Sequence, residues 1–231
     1  MTIADKLATV AANEQRVYEA GKQDEYNRFW DAYQLNGSRS VYTGAFSGQG
    51  WTDETFKPKY NINVSGGASY MFYYNRVPNI KNALQNAGVT LNLSGASNIS
   101  YLFNSASTSE LPELDLSNAS NVNYLFDSCS RLETIYKIIT SSTTPWVTNC
   151  FKRCTALKNV VFEGVISKTG LSFQDSTELT IDSLVSILEA LEDKGAGTSG
   201  TAWLITIGET NKAKLTEDQL NIARNKGWTV N

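Results

Sequence analysis

Histidine is absent from the 231 residues. That removes the commonest general base, the commonest zinc ligand and every Ser-His or Cys-His nucleophile pair at once. Cysteine is scarce: Cys129, Cys150 and Cys154 form an odd set with no Cys-x-x-Cys pair, and without His they complete a four-ligand zinc site only if a carboxylate joins them. No metal site and no cofactor is therefore expected. Charge is sparse, at 19% of residues, with 20 basic against 23 acidic groups and a net charge of -3. No basic surplus exists to release counterions from a phosphate backbone, so nucleic acid is not an expected partner. Long apolar runs are missing as well. The strongly apolar stretches are strand-sized, such as Trp203-Leu204-Ile205, well short of the roughly 18 residues that cross a bilayer. The opening Met1-Thr2-Ile3-Ala4-Asp5-Lys6-Leu7 lacks the basic-then-apolar layout of a secretory signal. These features predict a soluble chain without membrane insertion.

Motifs for phosphate chemistry are incomplete: Ser65-Gly66-Gly67 and Gly195-Ala196-Gly197 lack both the Lys-Ser/Thr of a phosphate loop and a strand-loop-helix setting. Carboxylates cluster at Glu189 with Glu192 and Asp193, and at Glu217 with Asp218. These fall at helix ends or on solvated faces, where nothing implies the cleft that acid-base work needs. No catalytic residue is assigned, and the chain reads as a non-enzyme.

What is present is apolar mass, 41% hydrophobic and 11% aromatic, enough to build a core. Residues 2–35 are rich in helix formers. Ile3, Leu7, Val10 and Val17 follow the spacing of a coiled-coil seam, with Glu14 at the next seam position and Gly21 interrupting it. Tyr26, Phe29, Trp30 and Tyr33 would share one helical face, and Asn36-Gly37 supplies a stop. Residues 37–60 read as a packed connector.

The strongest signal is internal repetition. Leu91-Asn92-Leu93-Ser94-Gly95-Ala96-Ser97-Asn98-Ile99-Ser100-Tyr101-Leu102-Phe103 aligns without gaps to Leu114 through Phe126, an offset of 23 residues. Phe126, Cys129, Leu132 and Ile135 recur as Phe151, Cys154, Leu157 and Val160 at an offset of 25. Degenerate copies surround Ile62 to Phe72 and begin near Phe173. A period of this length containing Leu-x-x-Leu-x-Leu, as at Leu111 to Leu116, is the signature of a leucine-rich-repeat solenoid. Each unit is too small to bury its apolar side alone, so units stack short strands in parallel and share a core. The expected fold is an α/β repeat: a short leucine-rich-repeat solenoid with parallel strands over 61–207, an N-terminal helix over 1–36 and a C-terminal helical cap over 208–231.

Strands are expected near 90–93, 113–116, 134–137 and 159–162, with Leu93, Phe103, Leu116, Phe126 and Phe151 buried. Alternation points Leu114, Leu116, Ile135, Val160 and Phe162 inward, and Glu113, Asp115, Thr134, Tyr136, Asn159 and Val161 to the outer face. Thr180–Glu192 reads as a helix with an apolar stripe at Leu184, Ile187, Leu188 and Leu191. Lys194–Gly200 reads as a loop, Trp203–Ile207 as a strand, and Thr216-Glu217-Asp218-Gln219 as a capping box opening a last helix. Cys129 and Cys154 hold the same repeat position, which leaves open either a disulfide or a ladder of buried thiols.

The pattern from Asn121 to Ile135 and its copy from Phe151 resemble the BspA-like family of bacterial leucine-rich-repeat surface proteins. Ala106 stands where the first full unit of that family would carry Cys. The flanks Phe29-Trp30-Asp31-Ala32-Tyr33-Gln34 and Gly227-Trp228-Thr229-Val230 are similar to frames around such repeats in proteins encoded by prophages of gut bacteria. The resemblance implies a phage or prophage tail-associated protein, receptor-binding or structural, acting in the virion or outside the cell after lysis. The alternative it implies is a cell-surface adhesin separated from its export signal. The expected partner is a bacterial surface protein or glycan. Candidate contact residues are Tyr73, Tyr74, Asn75 and Asn104, as aromatic and amide groups in turns, together with Glu113, Asp115, Thr134, Tyr136 and Asn159 on the outer strand face. The seam Ile3, Leu7, Val10 and Val17 predicts a homo-oligomer, and the prophage resemblance favours a trimer.

Overall fold

Alternating apolar residues in the repeats become parallel strands. The computed structural model of the protein describes residues 44–48, 51–52, 56–195 and 203–231. The expected N-terminal helix with Ile3, Leu7, Val10 and Val17, parts of the connector, and most of the expected glycine loop lie outside them. β1 (Ile62–Gly67) pairs with β2 (Leu91–Asn98). β3 (Glu110–Asp115), β4 (Thr134–Thr140) and β5 (Asn159–Gly164) form a second parallel sheet in chain order, and β6 (Leu204–Ile205) with β7 (Thr229–Val230) a third. The architecture is mixed α/β, with parallel strands in small sheets and a few short helices.

The four expected strands coincide with β2 to β5, and they fall in two sheets, because β2 and β3 are not paired as strands. Pro112 lies in β3, and Pro, without an N–H, belongs at a sheet edge. The two rejoin just beyond, where Asn98 bridges Asn121. Inside the second sheet Leu111 and Leu114 pair with Ile135 and Ile138, so both strands place buried residues three apart and carry the same extra residue. β5 lacks it and buries Val160 and Phe162, two apart, and the register of β4 and β5 shifts between Ile135 and Ile138.

After each strand the chain makes a turn that stacks on the next. The Phe72, Phe103 and Phe126 amides donate to the carbonyls of Leu102, Leu125 and Cys150, and the Phe46 amide begins the series on Met71. Two columns of left-handed residues mark these turns: Tyr70, Tyr101 and Tyr124 (φ 56 to 59°), then Tyr74, Ser105, Ser128 and Arg153 (φ 55 to 63°). Tyr is costly in this conformation, so its recurrence at one position implies a compensating contact. Inside the turns Phe46, Phe72, Phe103, Phe126, Phe151 and Phe173 form a continuous aromatic column, successive centroids 4.6 to 5.7 Å apart. All six are fully buried.

Helices close the remaining gaps. α1 (Ile80–Asn86) has Asn79 as N-cap, and its buried residues are Ile80 and Leu84. It fills the longer spacing between Tyr70 and Tyr101 and was not foreseen from the sequence. α2 (Ile181–Glu189), capped by Thr180, buries Leu184, Ile187 and Leu188. The cap holds α3 (Glu209–Lys212) and α4 (Glu217–Asn225), the latter opened by the expected Thr216–Gln219 capping box. β7 follows α4 and returns to pair with β6, so the chain end is tied to the body by a strand rather than by helix packing alone. Among the described residues no helix is long and apolar enough to cross a membrane.

Candidate functional site

The residues singled out from sequence divide between two surfaces and the interior. Asn75 and Asn104 belong to the interior, and their assignment as exposed contact residues is corrected. Asn75 is fully buried; its Nδ2 donates to the Phe46 carbonyl (2.9 Å) and its Oδ1 accepts from the Val77 amide (2.8 Å). Asn104 is buried and donates to Asp127 Oδ2 (3.3 Å). Polar turn residues look exposed in a sequence, but stacked turns bury them and require their hydrogen bonds to be met internally. Asp127 is the hub: Arg153 grips both its oxygens (2.8 to 3.2 Å), and Ser128 adds a hydroxyl. The hydrogen bond to Asp127 is the main reason the Arg153 pKa is raised.

The first surface is a cleft of about 740 Å³ over the outer face of the sheets. One wall is α1, through Lys81, Leu84 and Gln85; the opposite side is Pro112, Glu113 and Asp115 of β3 with Tyr136 and Ile139 of β4. Val89, Leu91 and Leu93 run between them and line the cleft, although each is at most 8% exposed. Lys81 pins the wall: its Nζ donates to Tyr136 Oη (2.8 Å) and Glu110 Oε2 (3.3 Å) and lies 4.1 Å from the Tyr136 ring centroid. The bond to Tyr136 leads the causes that raise the Lys81 pKa. Glu113 is paired across the strands with Lys137 (3.1 Å), which also meets Glu163 (3.0 Å); these two bonds hold the Lys137 pKa up, Glu163 first. Asp115 has a turn-forming duty, with Oδ1 accepting from the Ser117 amide (3.0 Å) and hydroxyl (2.6 Å). Tyr136 stays 47% exposed, with Lys81 Nζ over its ring.

Glu113, Asp115 and Tyr136 are thus brought together in the cleft, while Thr134 and Asn159 are not among its lining residues. Asn159 donates to the Thr134 hydroxyl (3.3 Å) and accepts from Thr180 (3.4 Å), linking two strands to the start of α2. The cleft residues sequence reasoning missed are those of α1, whose one visible signal is Asn79 followed by Ile80 and Leu84 at helical spacing.

The second surface is the tyrosine column of the turns. Tyr70 stacks on Tyr101 (4.7 Å, 6°) and Tyr101 on Tyr124 (4.8 Å, 16°). This stacking is the contact that compensates the left-handed backbone. Tyr73 stands edge-on to Tyr70, and Tyr74 edge-on to Tyr73. Tyr70 and Tyr74 are 40% and 45% exposed. Desolvation leads the causes that raise the pKa of Tyr73 and of Tyr101. Tyr70, Tyr101 and Tyr124 were missed as a site, although Tyr precedes Leu-Phe or Met-Phe at the same place in three units.

The cysteines form no disulfide: Cys129, Cys150 and Cys154 are free thiols and buried. Their Sγ atoms donate to the carbonyls of Phe103 (2.9 Å), Val122 (3.0 Å) and Phe126 (3.1 Å). Among the described residues no group of His, Cys, Asp and Glu is placed to hold a metal ion. Comparison of the chain with protein-family models, curated proteins and solved structures finds no match.

Proposed function

We propose that the protein is a non-enzymatic recognition module built on a short leucine-rich-repeat solenoid of the BspA-like kind. The stacked turns, the phenylalanine column and the parallel strands support the solenoid reading. The single observation that carries the recognition reading is the cleft. It joins apolar Leu84, Leu91, Leu93 and Pro112 to the exposed Tyr136 ring and an acidic edge at Glu113 and Asp115. Apolar ground with a few placed polar groups and a rigid aromatic is the composition of ligand sites. The two cleft carboxylates are tied to Lys137 and Ser117, which supports binding rather than proton transfer.

The ligand is a component of a bacterial surface, and the resemblance of the flanking segments to prophage-encoded proteins supports a tail-associated role. The test is adsorption of the labelled full chain to a panel of intact bacterial cells. Saturable adsorption to some strains and not others is expected, weakened by Tyr136→Ala. Adsorption to no strain, or equally to all strains, would contradict the reading.

A further inference from the structure

The tyrosine column stops abruptly, and its last ring has an open side. Tyr124 is covered on one face by Tyr101 at 4.8 Å. At the matching place in the next turn, 25 residues on, the chain carries Asn149 instead of Tyr. A hollow of about 320 Å³ lies there, lined by Tyr124, by Thr148, Asn149 and Lys152 of that turn, and by Gln174 and Asp175 of the one after. Tyr101 is not part of its lining, so the hollow meets Tyr124 on the side away from the stack.

The polar groups around this hollow are held in place but not used up. Asn149 Oδ1 accepts from the Tyr124 amide (3.2 Å) and Asp175 Oδ2 accepts from the Arg153 amide (2.8 Å). Those bonds fix both side chains and leave Asn149 Nδ2 and Asp175 Oδ1 for a ligand. Gln174 and Lys152 are exposed, and they add an amide and an ammonium. Rings of hydrogen-bonding groups around one free aromatic face match a particular shape. The ligand has a flat apolar C–H face and a rim of hydroxyls that both donate and accept, which describes a pyranose sugar. The volume is at the low end of the roughly 300–1,000 Å³ of small-molecule pockets, suited to one ring rather than a chain.

We propose that the missing ring of the tyrosine column is a saccharide socket, in which a pyranose stacks on Tyr124 and is held at its rim by Asn149, Lys152, Gln174 and Asp175. This rests on the recognition reading above and names one chemical class for its ligand, at a place separate from the cleft.

The test is saturation-transfer NMR of the full chain with the methyl pyranosides of glucose, galactose, mannose and N-acetylglucosamine, followed by titration of any that bind. At least one is expected to bind saturably in the millimolar range. Tyr124→Ala and the exposed Gln174→Ala should each weaken it by about tenfold or more, and Asn149→Tyr should block it by extending the column. Tyr136→Ala, in the cleft, should leave it unchanged. If none of the four binds, or if affinity survives both Tyr124→Ala and Gln174→Ala, the socket is refuted. Failure of all four pyranosides to bind a chain that still adsorbs to some strains, and adsorbs less with Tyr136→Ala, would refute the socket and leave the recognition reading standing. Sugar binding at the socket by a chain that adsorbs to no cell would do the reverse.

Discussion

Burial pushes the thiols of Cys129 and Cys150 up from 9.0 to about 12 and that of Cys154 well above 9.0. A thiol held protonated in the fold is a poor nucleophile, so a thiol reagent at pH 8 should label none of the three until the chain unfolds. Rapid labelling of the native protein would contradict their burial. The sign of the pH effect follows. Because the folded pKa lies above the unfolded one, this contribution to stability is intact below pH 9.0 and is lost as pH rises toward about 12. At this scale the sequence was partly legible. The shared repeat position of Cys129 and Cys154 was visible, but whether they bond depends on where each sulfur points, and each donates to a carbonyl of the preceding turn. Asn75 and Asn104 were misread for a related reason: an amide side chain in a turn has the same composition signal whether it meets solvent or satisfies the backbone of a neighbouring turn.

Strands and turns were more legible than their pairing. The repeat offset located β2 to β5, and the inward set Leu114, Leu116, Ile135, Val160 and Phe162 is buried as alternation requires. Alternation does not reveal the extra residue shared by β3 and β4, nor the gap beside Pro112 that opens the cleft. Gly164 shows how local such constraints are: at φ +98° a side chain is strained, and a Cβ there would run into the Thr140 carbonyl oxygen. The phenylalanine column is the element whose loss should cost most. Phe126 is fully buried between Phe103 and Phe151, so Phe126→Ala should destabilise the fold by about 3–5 kcal/mol through the cavity it leaves. Chemical denaturation measures this, and a variant with the parent's midpoint and slope would show that the column does not carry the core.

For the whole molecule the sequence predicts more than the described residues contain. The seam Ile3, Leu7, Val10 and Val17 is too short to be stable as an isolated helix, so self-association through residues 2–20 is expected, and the resemblance to prophage-encoded proteins favours a trimer over a dimer. Sedimentation of the full chain against a chain beginning at Tyr26 tests this: the longer should be oligomeric at micromolar concentration and the shorter monomeric. A monomeric full chain would defeat the oligomer and leave the strands and turns unaffected. Avidity from several copies would multiply a modest affinity per cleft, which makes the cleft itself the point to test. The most direct measurement is the adsorption isotherm of the full chain on a strain that binds it, compared with the Tyr136→Ala, Glu113→Lys double variant. Both residues are exposed, so melting should shift little while adsorption weakens by about tenfold or more. An isotherm that superimposes on the parent's would contradict recognition through the cleft.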